Sequence, residues 1–156
     1  MLPLATFKTV VESTPLISID FIVKNKEEKF LLGKRINRPA KGAWFVPGGR
    51  VLKGETFEQA FYRLIKSELN LDNAESIFKG IYQHFYDDNF SEENFSTHYI
   101  VLAYKIAFNA DLNSLPKEQH SNYRWLSKEE LLNDKTVHLH SKWYFQEDKQ
   151  ADELFR

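Results

Sequence analysis

The 156-residue chain has no cysteine, so disulfides and thiolate metal sites are excluded at the outset. It has only six glycines and five prolines, with no Pro/Gly/Ser-rich linker, internal repeat or low-complexity tract. A single domain over residues 1–156 is therefore expected. No apolar run is long enough to span a bilayer. The N-terminal stretch MLPLATFKTVVEST also lacks a basic region followed by an apolar core, which points to a soluble, cytoplasmic protein. An excess of either charge is missing too: 21 Lys and Arg face 22 Asp and Glu, for a net charge of -1. Bulk electrostatics thus give no reason to expect binding to nucleic acid or an anionic membrane, and any phosphate site must use a few placed cations.

What is present is a core. Hydrophobic residues make up 42% of the chain and aromatics 15%, well above the range of disordered sequences. The segment 16–23 is β-rich and bounded by Thr14-Pro15 and by the polar turn 24–28, and 30–35 reads as its hairpin partner. A short strand at 44–46 is stopped by Pro47-Gly48-Gly49, and further strands are expected at 81–86 and 97–108. The spacing predicts a helix over 56–69, a capping box from Ser127 to Glu130 and a C-terminal helix from about Ser141. Strands before, between and after helices indicate a mixed α/β sandwich. Asn89-Phe90-Ser91 and Asn94-Phe95-Ser96 match the glycosylation pattern, but without a secretory signal they are read as chance.

The informative segment runs from Gly49 to Leu71, just after Gly48. Paired glycines after a strand let the backbone approach a ligand closely and permit positive φ. On the following helix Phe57, Ala60, Phe61, Leu64 and Ile65 gather on one face, and Glu68 projects into the middle of it. A carboxylate there needs a cation or a hydrogen-bond partner. Arg63 lies on another face, and Glu55 either pairs with an arginine across the loop or favours the helix N-terminus.

In this segment Gly49, Glu55, Arg63, Ile65, Glu68 and Leu71 stand in register with the Nudix signature, and the chain resembles that superfamily. It departs at Leu64, Ser67 and Asn70, where the signature has Glu, Glu and Gly. The departures, together with STPLISIDFIV, FLLGKRINRPAKGAWFVPGGRV, QHFYDDNFS, THYIVL and EQHSNYRWL, resemble the GDP-mannose mannosyl hydrolase group.

The resemblance implies a Nudix-type α/β/α sandwich with a mixed sheet, and water attack at sugar C1 of GDP-mannose or GDP-glucose with inversion. It implies one Mg²⁺ per subunit, replaceable by Mn²⁺, on the Gly48 carbonyl, Glu68 and Gln119, all oxygen donors. His120 is implied as general base. Arg35, Arg50 and Arg63 would neutralise or position the diphosphate, and Tyr99 would hydrogen-bond the leaving phosphate. Asp20 and His84 would contact sugar hydroxyls. The group forms homodimers whose N-terminal segments cross over, so Phe7 would touch the partner's ligand.

Outside that register several of these residues have plainer uses. Arg35 and Arg50 would be surface arginines, Tyr99 a packed strand residue, His84 a packed histidine and Gln119-His120 part of a polar loop. Lys117, Glu118, Ser121 and Asn122 place few anions beside His120, which is expected to favour the neutral base. A conventional Nudix pyrophosphohydrolase of a nucleoside diphosphate derivative and a non-catalytic nucleotide-sugar sensor are the rival readings.

Overall fold

The computed structural model describes residues 2–108, 112–116 and 120–152, and of residues 112, 120 and 121 only the backbone. The chain opens with helix α1 (Leu4–Ser13), then strands β1 (Leu16–Lys24), β2 (Lys29–Arg35), β3 (Trp44–Phe45) and β4 (Gly48–Arg50). Helix α2 (Phe57–Leu69) leads to the long strands β5 (Ser76–Tyr86) and β6 (Thr97–Ala107). Strand β7 (His120–Ser127) is followed by α3 (Lys128–Asn133), α4 (Leu139–Lys142) and a 3-10 turn, Trp143–Phe145.

The strands form one seven-stranded mixed sheet, in the order β3-β2-β1-β6-β5, with β4 paired to β1 and β7 to β2. β1 and β6 run parallel from Leu16↔Tyr99 to Lys24↔Ala107, while β5 lies antiparallel to β6. Alternation along β1 sends Ile19, Phe21 and Val23 to one face, where they pack with Ala60, Phe61, Leu64 and Ile65 of α2. Ile22 faces the other way, into a second core with Leu131 of α3 and with Tyr144 and Phe145. Helices thus cover both faces of the sheet. This is the α/β/α sandwich expected from the sequence. Among the described residues no helix is long and apolar enough to cross a membrane.

Local chemistry explains most boundaries. Thr56 caps α2 through a reciprocal pair with Gln59, and Ser127 caps α3 in the same way with Glu130. At the other end of α2, Asn70 takes the left-handed conformation (φ 57, ψ 36), and its N–H donates to the carbonyls of Ile65 and Lys66. Asparagine tolerates that region better than other non-glycine residues, which accounts for its standing where the Nudix signature has glycine.

The structure departs from sequence expectation in several places. Phe57 does not join the apolar face; it lies in the first turn of α2 and is 55% exposed. Helix α1, strand β4 and strand β7 were not anticipated, and the C-terminal helix starts at Leu139 and ends as a 3-10 turn. Asn89 is fully buried, and its amide nitrogen donates to the carbonyls of Glu93 at 2.8 Å and Phe95 at 2.7 Å. It braces a loop and has no room for a glycan.

Candidate active site

Gly48 and Gly49 are glycines because of crowding. Neither has positive φ, contrary to one of the two uses expected of them. A Cβ on Gly48 would lie 2.5 Å from the Ile19 carbonyl and 2.5 Å from Asp20 Oδ1; one on Gly49 would lie 2.4 Å from Leu64 Cδ2. The close fit of β4 against β1 and α2 therefore carries Gly48 beside Asp20, its register partner. Leu64, which stands where the signature has glutamate, fills the space over Gly49.

Around this junction opens a cavity of about 760 Å³. Phe7, Asp20, Arg35, Gly48, Arg50, Arg63, Glu68, His84 and Tyr99 all line it, although they come from α1, β1, β2, β4, α2, β5 and β6. Gln119 lies outside the described residues. His120 is described by its backbone alone: it opens β7, with its Cα opposite that of Arg35. The pairing of β7 with β2 replaces the polar loop expected at His120, because the alternating stretch from Tyr123 to Leu126 extends the sheet.

The cations in the cavity are held differently. Arg63 Nε donates to Glu55 Oε1 at 2.5 Å, and its Nη2 donates to Glu55 Oε2 at 2.9 Å and the Arg50 carbonyl at 2.7 Å. Of the two uses open to Glu55, the structure takes the arginine pair, and that pair depresses its pKa to about 2. Arg63 thus ties helix α2 to the loop that follows β4, while Arg35 and Arg50 lie against aromatic rings. Arg35 is 5.4 Å from the centroid of Phe45, and Arg50 is 4.5 Å from that of Phe7. Phe7 also packs on Phe90, with centroids 4.6 Å apart, so α1 contributes to the cavity of its own chain.

Asp20 and His84 line the same cavity. The Asp20 pKa is raised to about 7, chiefly by desolvation; the Tyr144 hydrogen bond and Arg35 oppose the shift, and Glu68 adds to it. Tyr144 donates to Asp20 Oδ2 at 2.5 Å and lies 3.3 Å from His84 Nε2. The His84 ring stacks on His140, centroids 4.3 Å apart, and its pKa falls to about 2 through burial and the neighbouring His140 and His138. His84 is therefore neutral at any ordinary pH. Tyr99 lines the cavity near Arg35 and Arg50, with its pKa raised by burial.

Glu68 is 7% exposed and borders the cavity with Gly48. Among the described residues no group of three His, Cys, Asp or Glu converges on one point. Among the described residues the donors here are sparse and all oxygen: the Glu68 carboxylate and the Gly48 backbone, with Asp20 packed against Gly48. That chemistry fits a single hard cation that keeps water or substrate ligands, and does not fit a metal cluster. Sequence reasoning missed Tyr144, Arg38, Tyr86 and Tyr123. Arg38, Tyr86 and Tyr123 also line the cavity, and Tyr144 contacts two of its lining residues, Asp20 and His84. Arg38, Tyr86 and Tyr123 lie inside the stretches that carry the resemblance but have no spacing that singles them out, whereas Tyr144 lies outside those stretches and reaches Asp20 across 124 positions of sequence.

Comparison with known proteins agrees with this architecture. A Low-salt glycan biosynthesis protein, Agl8, from Haloferax volcanii is 38% identical over 118 residues, covering 76% of this chain and 74% of that protein. An ADP-ribose pyrophosphatase from Methanocaldococcus jannaschii is 43% identical over 68 residues, which is 44% of this chain and 40% of that one. In fold, the chain resembles the crystal structure of a MutT protein from Methanosarcina mazei, with TM-score 0.69 and 22% identity over 85% of this chain and 92% of that one. The NUDIX domain model matches residues 14–146, which include the sheet and α2, and the chain belongs to the Nudix hydrolase family.

Proposed function

We propose that this Nudix hydrolase cleaves the glycosyl bond of a GDP-hexose, GDP-mannose or GDP-glucose, releasing GDP and the free sugar with inversion at C1. The observation that carries the reading is the pairing of what lines the cavity with what is missing there. Arg35, Arg50, Glu68 and Tyr99 line it, while Leu64 and Ser67 stand where Nudix enzymes carry carboxylates. A site that retains diphosphate-binding groups and lacks the usual carboxylate base suits attack on carbon, where the diphosphate is the leaving group.

In this reading Glu68 and the Gly48 carbonyl, with Gln119, hold Mg²⁺, which neutralises the diphosphate as a Lewis acid when bound. Arg35 and Arg50 pair with the phosphate oxygens, and Tyr99 donates a hydrogen bond to the departing phosphate. Arg63 acts through Glu55 and the Arg50 carbonyl, fixing the end of β4 from which Arg50 projects to the loop that follows it. Asp20 and His84 meet the sugar hydroxyls. His120 takes the proton from water as its oxygen bonds to C1 and the C1–O bond to the diphosphate breaks. A homodimer belongs to the same reading, and sedimentation of the intact protein tests it.

The Agl8 relative, named for glycan biosynthesis, agrees with a sugar-linked substrate. The 68-residue match to an ADP-ribose pyrophosphatase favours a second reading, attack at phosphorus of a nucleoside diphosphate derivative. Incubation with GDP-mannose followed by proton NMR separates the two. The proposal expects GDP and the β-anomer of the hexose, formed only with Mg²⁺; a nucleoside monophosphate and a sugar phosphate would instead support the pyrophosphohydrolase.

A further inference from the structure

From the contacts between Asp20, Tyr144 and His84 we infer that Tyr144 is a positioning residue, which sets Asp20 and His84 as a fixed pair of hydrogen-bond acceptors for substrate hydroxyls. The inference rests on the GDP-hexose reading for its substrate, and on the hydrogen-bond geometry and the burial of His84 for the arrangement of protons. Tyr144 has one hydroxyl proton, and with Asp20 ionised it goes to Asp20 Oδ2 at 2.5 Å. The 3.3 Å contact with His84 Nε2 then has only one polarity: Nε2–H donates to the tyrosine oxygen. His84 is neutral, held so by burial beside two other histidines, and a neutral ring protonated on Nε2 has Nδ1 as its acceptor.

Both acceptors remain available. Among the described residues no donor reaches Asp20 Oδ1, which lies over Gly48, and none reaches His84 Nδ1. Asp20 and His84 both line the active-site cavity, so with Asp20 ionised the pair presents two acceptors and no donor to a ligand. A polyol satisfies that pattern with two hydroxyl protons. The Tyr144 ring is set by packing rather than by the site: it meets Tyr82 edge-on at 4.8 Å and is 5% exposed. The hydroxyl therefore projects from a rigid base, and a remote C-terminal turn determines which way two sugar contacts face.

Tyr144→Phe tests this, since it removes one oxygen and leaves the ring packing intact. The first readout needs no substrate. Imidazole ¹⁵N NMR near pH ~8.5, where Asp20 is ionised, should show His84 in the Nε2–H form in the wild type, and mixed tautomers in the variant. The second readout is hydrolysis: kcat for GDP-mannose should fall about tenfold in Tyr144→Phe while the GDP dissociation constant stays within about twofold. Tyr82→Phe, which alters a packing neighbour and no hydrogen bond of the set, should change neither readout. An Nδ1–H His84 in the wild type overturns the inference. So does a Tyr144→Phe protein with wild-type tautomer and wild-type kcat, or one whose loss is matched by Tyr82→Phe. If no GDP-hexose is turned over, the functional reading fails and the tautomer measurement still decides the proton arrangement.

Discussion

Arg63 grips Glu55 through both carboxylate oxygens, at 2.5 and 2.9 Å, and so closes the loop between β4 and α2 like a buckle. The same carboxylate accepts the Leu52 N–H at 2.8 Å. Because the pair depresses the Glu55 pKa from 4.5 to about 2, its contribution is fully present above pH 4.5 and lost as pH falls through about 2. Denaturant titrations of the wild type and Glu55→Gln should therefore differ at neutral pH and converge as the pH is lowered from 5 toward 2. A difference that persists unchanged at the acid end would contradict the pair as the cause. Since Arg63 also holds the Arg50 carbonyl, Glu55→Gln should lower kcat/KM by about tenfold.

The buried histidines give a second pH dependence. His84 and His140 fall to about 2 and about 3 in the folded chain, mainly through desolvation. Their folded pKa values lie below the unfolded value of 6.5, so stability is highest above 6.5 and declines as pH falls toward 3. Each histidine contributes a slope of about 1.4 kcal/mol per pH unit once its unfolded form is protonated. Asp20 opposes them: raised from 3.8 to about 7, it stabilises the folded state at low pH and loses that effect as pH rises between the two values. In the metal-free protein His140→Phe should flatten the decline between pH 6 and 5, and Asp20→Asn should steepen it. Opposite changes in slope would refute the assignments.

Asn70 makes a backbone prediction. Its left-handed cap conformation is open to glycine without strain and costs an ordinary L-residue about 1–2 kcal/mol. Asn70→Gly should leave the unfolding free energy unchanged or raise it, whereas Asn70→Ala should lower it by about 1 kcal/mol. Equal stabilities for the two variants would show that the cap does not constrain this helix.

Gly49 and Leu64 should behave as a pair. A methyl on Gly49 meets Leu64 Cδ2 at 2.4 Å, so Gly49→Ala should destabilise by about 1–3 kcal/mol through overpacking. Leu64→Ala opens that space, and the double variant should be more stable than the sum of the single losses. Strict additivity in chemical denaturation would mean the two side chains do not compete.

The parts of this molecule that were legible in its sequence are those whose causes are local. Helix α2 was found because Thr56, Gln59 and the apolar spacing act within a few turns, and the α3 cap was found for the same reason. Phe57 stays outside the core despite its spacing, because periodicity reports direction around a helix but not how far along it the packing extends. Helix α1 went unseen because Pro3 gives it no side-chain cap and only Val11 is buried. The polar start of β7 hid a strand that exists through pairing with β2, far away in sequence. In the site, Gly49, Glu68 and Arg63 could be read from a motif, whereas Tyr144 could not, because its role arises only where the C-terminal turn folds against β1 and β5. The reason for Gly48 and Gly49 was also hidden, since crowding by Ile19, Asp20 and Leu64 is a tertiary fact.

The central claim is that water attacks the sugar carbon and not phosphorus. Hydrolysis of GDP-mannose in ¹⁸O-water, read by mass spectrometry of both products, tests it most directly. The account predicts label in the hexose and none in GDP; label in a phosphate-bearing product, with unlabelled sugar carbon, would contradict it.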